Sequence, residues 1–504
     1  MTGFQNKIHM FFLFASLVIL SSVVLLVFPV MTIFREQYQD PSLAQRLLRH
    51  QTAVLSAQLE TSENNTPAGI LGDEDLEIEL VTEGLQSPTS MTFIGNNGDM
   101  LVLEKSGEVI HFMNENKTKK SLLNFSTVDD RNERGLLGVA VIDDTIVHPS
   151  TAASSTTLSN NDEETSTSGN TASNDAALAA TTDEGTTSSL PPAFVFFYVT
   201  EASKEDKTQA IGNRIYRFEW DHANKSLLNG TLLLDLPVLP GQNHNGGKLI
   251  ADSNNGHLYA VIGDLNRKGT LQNFKNGSLP DDTSAIIRIN PDGSPAQGNP
   301  FLNVSRSDDS LANLSKYYAY GIRNSFGLAI DPLTGNLWDT ENGPDGFDEI
   351  NIVRPGFNSG WAMLMGPIEM SNVTAENDLV SFQDSSSYAD PVFSWGKAVG
   401  VTDIEFYDSD LLGEDYSNNI FVADADNGDL YFFEVNEDRS GLQFENSGIE
   451  EDLVASNENE RTAVTFGTDF PSSITDIETG PDGYLYVLTY HPTMGTLFRI
   501  VSYE

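Results

Sequence analysis

From about residue 76 to the C-terminus, short apolar runs alternate with turns carrying Gly, Asn or Asp. GDMLVLEKSGEVIHF, GHLYAVIGD, GNLWDTENG, NNIFVADADNGDLYFFEV and GYLYVLTYHPTMGTLFRI each place such a turn ahead of a strand-like segment, and several continue into a second turn and strand. Period-two alternation and β-branched or aromatic enrichment mark strands, and long helical periodicity does not recur. A repeated strand–turn–strand unit cannot bury both of its faces alone, so the pattern predicts an all-β fold of blades packed round an axis. The spacing is too irregular to count blades, and a pair of β-sandwiches is the competing architecture.

Three stretches break the pattern. Residues Met10 to Phe34 carry no charge and are mostly apolar. At about 1.5 Å per residue, such a run outreaches a hydrocarbon core of roughly 30 Å. It reads as a transmembrane signal anchor over 10–34 behind a short tail, 1–9, with a cleaved signal as the alternative. Lys7 precedes it and Arg35, Arg46 and Arg49 follow, an asymmetry that opposes export of the C-terminal part. Nine N-x-[ST] sequons, at Asn64, Asn116, Asn124, Asn224, Asn229, Asn276, Asn303, Asn313 and Asn372, favour export and glycosylation. Residues 35–75 read as a stalk, with a short amphipathic helix broken by SENNTPAG. Residues 143–192, rich in Ser, Thr, Asn and acidic side chains, lack the apolar content to fold alone. They read as a disordered insertion between GLLGVAVI and AFVFFYVT.

Charge and cysteine content narrow the chemistry. The 504 residues hold 28 Lys and Arg against 72 Asp and Glu, a formal charge of −44. That surface disfavours nucleic acid and anionic lipid, and it suits a solvated outward domain or cation binding. With no cysteine, there are no disulfides, thiolate metal sites, iron–sulfur clusters or cysteine nucleophiles.

Two segments carry candidate chemistry. In GQNHNGGKLIADSNNGHLYAVIGD, residues 241–264, His244 follows a turn and precedes a strand. It suits a general base, or is a turn histidine without a role. Gly246 and Gly247 permit a ligand to approach the backbone closely. In the segment 320–361, Arg323 and Asn324 stand ahead of a strand, placed to hydrogen-bond a polar ligand. ENGPDGFDEIN gathers Glu341, Asp345, Asp348 and Glu349 among Gly and Pro. Hard oxygens on such a loop suit calcium, or make a solvated acidic loop; the EF-hand spacing is missing.

NERGLLGVA (132–140), HNGGKL (244–249), GHLYAVIGD (256–264), RNSFGLAIDPLTGNLW (323–338), ENGPDGFDEIN (341–351), PGFNSGW (355–361) and GPDGYLYVLT (480–489) closely resemble the quinone-dependent glucose/sorbosone (aldose sugar) dehydrogenase family. The resemblance covers about residues 78–502 outside the Ser/Thr-rich insertion. It implies a six-bladed β-propeller of four-stranded blades over 76–504, preceded here by one N-terminal transmembrane helix. It also implies that pyrroloquinoline quinone (PQQ) and calcium are cofactors. By that resemblance His244 is the catalytic base, Arg323 and Asn324 contact the quinone, and the carbonyls of Gly343 and Pro344 bind the calcium that touches it. Glu349 matches a ligand of a separate structural calcium. Its partner in the family is a Tyr, here Ser359, so that only a backbone carbonyl carries over.

Several positions depart from the family pattern. Glu133 replaces a glutamine and Asn243 an aspartate at cofactor-contacting positions. The last two blades lack the family's basic residues. ADADNGDLY (423–431) stands where a Lys is expected, and Ser473, Ile474, Thr475 and Asp476 stand where an R-I-R-D run is expected. A tricarboxylate facing Asp424, Asp426 and Asp429 would be repelled by roughly a kcal/mol or more per close pair. Lys397, Lys248 and Arg267 are the candidate replacements. The resulting expectation is a single-pass membrane protein with an extracytoplasmic propeller. It would oxidise a small-molecule sugar and pass electrons to an unknown acceptor, without contact to nucleic acid. The alternatives are a non-catalytic propeller that binds a glycan or protein, and a calcium-dependent lactonase-like hydrolase.

Overall fold

The computed structural model describes residues 68–95, 97–142, 193–382, 385–445 and 447–503. The expected tail (1–9), transmembrane segment (10–34), most of the stalk (35–75) and the insertion (143–192) lie outside them. The described strands form six sheets, almost wholly antiparallel. Their innermost strands are Pro88–Phe93, Leu136–Ile142, Leu249–Asp252, Ser325–Ile330, Val401–Tyr407 and Ile474–Thr479. Each packs against the next, and the last returns to the first, so the strands ring a central axis. Chain order is sheet order, and the blades are numbered one to six in that sense. The ring is closed by Leu76–Leu85, the outermost strand of blade six, which pairs with the C-terminal strand Gly495–Ser502; Ile78 stands opposite Ile500.

The strands read from the sequence are strands for the reason given there. Apolar side chains alternate toward the faces where neighbouring blades meet. Between blades two and three, Phe196, Tyr198, Ile215, Leu258, Ile287 and Phe301 share one cluster. The inner strands of these two blades also approach closely. A Cβ on Gly138 would stand 2.1 Å from the Gly247 carbonyl oxygen. Gly247 itself sits at φ +114°, so both GLLG and HNGG need glycine where they cross.

Two expectations are corrected. The blades are not uniformly four-stranded: three sheets have four strands, one has five and two have six. The excess comes from long connections that return to cover sheet edges, which otherwise present unpaired N–H and C=O groups. Phe357–Asn358 and Ser387–Tyr388 add in parallel to blade three, and Val454–Ala455 to blade four. Ile70–Leu71, from the end of the expected stalk, pairs with Thr465–Thr468 in blade five. The second correction concerns the membrane. Among the described residues no helix is long and apolar enough to cross one. The reading of a single-pass protein with an extracytoplasmic propeller is therefore withdrawn.

Candidate active site

In an antiparallel blade, the connection entering the inner strand and the turn from second to third strand lie at the same end. Glu133, His244 and the pair Arg323–Asn324 all stand on entering connections, those of blades two, three and four. Lys105, Asp264 and the Gly343–Pro344 dipeptide stand on second-to-third-strand connections of blades one, three and four. Topology thus gathers these residues at one mouth of the axis.

Side chains join them. The His244 amide N–H donates to Glu133 Oε2 at 2.5 Å, and Asn324 Nδ2 donates to the same oxygen at 3.1 Å. Asn324 Oδ1 accepts from the Gly246 amide at 3.1 Å. The Asn342 amide donates to the Asn324 carbonyl at 2.8 Å, and an Arg323 guanidinium N–H donates to the Asn342 carbonyl at 2.8 Å. Through Asn342, the Arg–Asn pair is tied to the loop bearing Gly343 and Pro344. Neither of those two carbonyls accepts a backbone hydrogen bond among the described residues, which leaves hard oxygens of the kind calcium takes.

His244 is held in a strained, defined pose. Its φ is +60°, and Leu265 and Asn266 beside it are also left-handed, at +48° and +57°. Such strain in non-glycine residues persists where surrounding contacts enforce it. The main enforcing contact is Asp264, whose Oδ1 lies 2.6 Å from His244 Nδ1. Asp264 Oδ2 accepts from Trp361 Nε1 at 2.8 Å and Gln272 Nε2 at 3.0 Å. Burial alone would raise the Asp264 carboxyl, but hydrogen bonds from His244 and the Asn266 amide outweigh it and hold it below its ordinary value. An ionised Asp264 fixes the proton on Nδ1 and leaves Nε2 as the acceptor. The Trp361 ring also lies under the Arg323 guanidinium, at 5.4 Å, so one indole orders both the dyad and the arginine. Asp264 sits within GHLYAVIGD, but its pairing with a histidine 20 residues earlier is a product of the fold.

A cavity of about 310 Å³ opens at the mouth, lined by residues of all six blades, among them Lys105, Glu133, Gly246, Lys248, Phe326 and Tyr490. Lys248, a candidate replacement cation, reaches across the axis to Asp403 Oδ2 (2.7 Å) and Asp476 Oδ1 (2.8 Å). Its charge is spent there. Arg267 pairs with Asp281 at 3.2 Å, and Lys397 is exposed outside the cavity lining.

The expected repulsion from blade five is corrected for Asp424 and Asp429, and Asp426 is exposed outside the cavity lining. Asp424 is buried and turned into its own loop, where it accepts from Asn427, from the Asp429 amide and from the Tyr431 hydroxyl. Asp429 pairs with Arg461 at 2.9 Å. Of that loop only Ala425 lines the cavity. An Asx turn uses up Asp424, and Arg461 takes Asp429, carboxylates that in the bare sequence look free.

Other expected residues lie apart. The Asn243 side chain is exposed; its neighbour Asn245 is the buried one and accepts from Asn213 Nδ2 at 3.1 Å. Glu349 and Ser359 are buried beneath the mouth. Ser359 Oγ donates to Glu341 Oε2 at 2.6 Å, and the Gly366 amide donates to Glu349 Oε1 at 2.5 Å. Glu341 and Glu349 stand opposite each other across paired strands, with Asp339 on the same face. Burial, reinforced by mutual repulsion, raises Asp339 and Glu349 well above ordinary carboxyl values, and burial pushes Glu341 up to about 7. Among the described residues no group of three or more His, Asp or Glu is arranged to hold a metal ion.

Comparison with known proteins agrees with this architecture. The profile of the glucose/sorbosone dehydrogenase family matches residues 85–187 and 190–499. Aldose sugar dehydrogenase YliI of Escherichia coli is 29% identical over 273 residues, covering 54% of this chain and 63% of the relative, less than two thirds of its length. Two solved structures share the fold. The soluble aldose sugar dehydrogenase of E. coli, in its apo form, has a TM-score of 0.57 at 23% identity, covering 85% of this chain and all of that one. The PQQ-bound aldose sugar dehydrogenase of Streptomyces coelicolor has a TM-score of 0.52 at 20% identity, covering 86% and 100%.

Proposed function

The chain belongs to the glucose/sorbosone dehydrogenase family, and from that premise we propose that it is a quinone-dependent oxidoreductase acting on the CH–OH group of an aldose. The observation that carries the reading is the dyad of His244 and Asp264 at the mouth that also bears Arg323, Asn324 and the Gly343–Pro344 loop. The cavity at the mouth, whose lining holds Glu133 and Gly246 but not His244, Arg323, Asn324, Gly343 or Pro344, supports the reading through other groups. Leu137 and Phe326 offer apolar walls, and the buried hydroxyls of Ser90 and Thr402 line the same cavity without a partner among the described residues.

When bound, PQQ supplies the two-electron acceptor, and calcium at the Gly343 and Pro344 carbonyls supplies Lewis acidity. The protein's own part is proton handling and orientation. His244 Nε2 takes the proton of the sugar's anomeric hydroxyl while Asp264 keeps the imidazole in that tautomer and stabilises the imidazolium formed. Arg323 brings positive charge toward the side of the mouth where the quinone oxygens would stand, and Asn324 fixes Glu133 and the Gly246 backbone around it. In this reading Glu349, which stands across the paired strands from the Glu341 that Ser359 contacts, would supply one ligand of a second calcium, the rest coming from groups other than clustered carboxylates.

Full-length protein loaded with calcium and PQQ should reduce a redox dye when given an aldose, and His244→Ala should abolish it. Sugar binding without dye reduction would favour a non-catalytic propeller, and lactone hydrolysis without quinone a hydrolase.

A further inference from the structure

The reading above leaves the cofactor's carboxylates without a counter-charge, because blades five and six offer none. The structure places one elsewhere. Lys105 and Lys248 are the cations that line the cavity. Lys248 is held between two carboxylates, so a ligand there meets a neutralised or anionic floor. Lys105 is different. It stands on the second-to-third-strand turn of blade one, half-buried, and its ammonium donates to the Asn132 carbonyl with no carboxylate partner among the described residues. A neutral carbonyl leaves the charge free to act on an incoming anion.

Two further groups point the same way. Ser90 Oγ, on the inner strand of blade one, and Thr402 Oγ1, on that of blade five, both line the cavity. Their residues are 3% and 8% exposed, yet neither hydroxyl has a hydrogen-bond partner among the described residues. Unmade hydrogen bonds of buried hydroxyls cost free energy unless a ligand or water completes them. One ammonium and two hydroxyl donors around one cavity are what a carboxylate-bearing ligand requires.

Resting on the quinone reading, we propose that Lys105, with the Ser90 hydroxyl of the same blade, anchors a carboxylate of the bound quinone from the first blade, in place of cations on the last two, while the Thr402 hydroxyl on blade five offers a further donor within the same cavity. The charge centre is thereby moved round the rim, while the His244 side of the mouth is unaltered.

The test is equilibrium binding of PQQ, and of its trimethyl ester, to the full-length protein with calcium present, followed by quenching of intrinsic fluorescence. Lys105→Ala should weaken PQQ binding by about tenfold or more, and Lys105→Arg should stay within about threefold of the parent. Ser90→Ala should cost a few-fold. The ester has no carboxylate to lose, so its binding should be insensitive to Lys105→Ala. The unfolding midpoint of apo Lys105→Ala, equal to the parent's, shows that the fold is intact. If Lys105→Ala binds PQQ as tightly as the parent, or loses the ester equally, the anchor is refuted while the quinone reading stands. If the parent itself does not bind PQQ, the quinone reading falls and the anchor with it.

Discussion

Asp264 Oδ1 lies 2.6 Å from His244 Nδ1, joining a strand end of blade three to the loop that enters the same blade. This contact sets which imidazole nitrogen is free, and so whether Nε2 is the one that can accept a proton. Asp264→Asn keeps the shape and reverses that preference, since an amide can donate to Nδ1. The expected result is a fall in kcat of roughly 10²–10³-fold with KM little changed, measured by dye reduction on the loaded protein. The same variant tests stability. Asp264 is held below its ordinary value of 3.8 in the folded state, so its contribution is present above about pH 4 and is lost as pH falls through the lower folded value. Urea midpoints between pH 3 and pH 7 should therefore show a shallower acid decline for Asp264→Asn than for the parent.

Lys248 crosses the axis from blade three to Asp403 on blade five and Asp476 on blade six. Both carboxylates are 1% exposed. Burial would lower the lysine, but Asp403, Asp476 and Glu478 outweigh it and hold it above its ordinary value. Lys248→Met should cost about 3–5 kcal/mol, because two buried carboxylates lose their counter-ion. Lys248→Met combined with Asp403→Asn and Asp476→Asn should recover much of that loss in chemical denaturation.

Asp339, Glu341 and Glu349 concentrate three buried carboxyls between blades three and four. If calcium binds at Glu349, it should raise the unfolding free energy by about 2.7 kcal/mol at a hundred times its Kd, and the midpoint with it. A chelator should reverse the rise. Glu349→Gln should reduce the increment and leave stability in chelator equal to or above the parent's, since burial already disfavours the charged form of this carboxyl.

Much of the architecture was legible in the sequence because turn and strand signals are local. The HNGG, RN and ENGP runs were legible for the same reason: each is a short connection whose conformation is set by its own glycines and by the strand that follows. Relations between blades were not. Nothing local joins Asp264 to His244, or Trp361 to both, and Lys105 and Ser90 share a cavity with Thr402 only after the ring closes. The acidic run 423–431 misled for a physical reason, as Asp424 satisfies its own turn and Asp429 takes Arg461. Edge-covering strands such as Val454–Ala455 are two residues long and carry no periodic signal.

The central claim is that His244 removes a proton from sugar in concert with quinone reduction, and the most direct measurement is a single anaerobic turnover. Protein loaded with PQQ and calcium is mixed with excess aldose while the quinone absorbance is followed. Parent protein should bleach one quinone per site, and His244→Gln, with quinone binding intact, should bleach at least about 10²-fold more slowly. Bleaching of the variant at the parent's rate, or no bleaching of the parent by any aldose, would contradict the account.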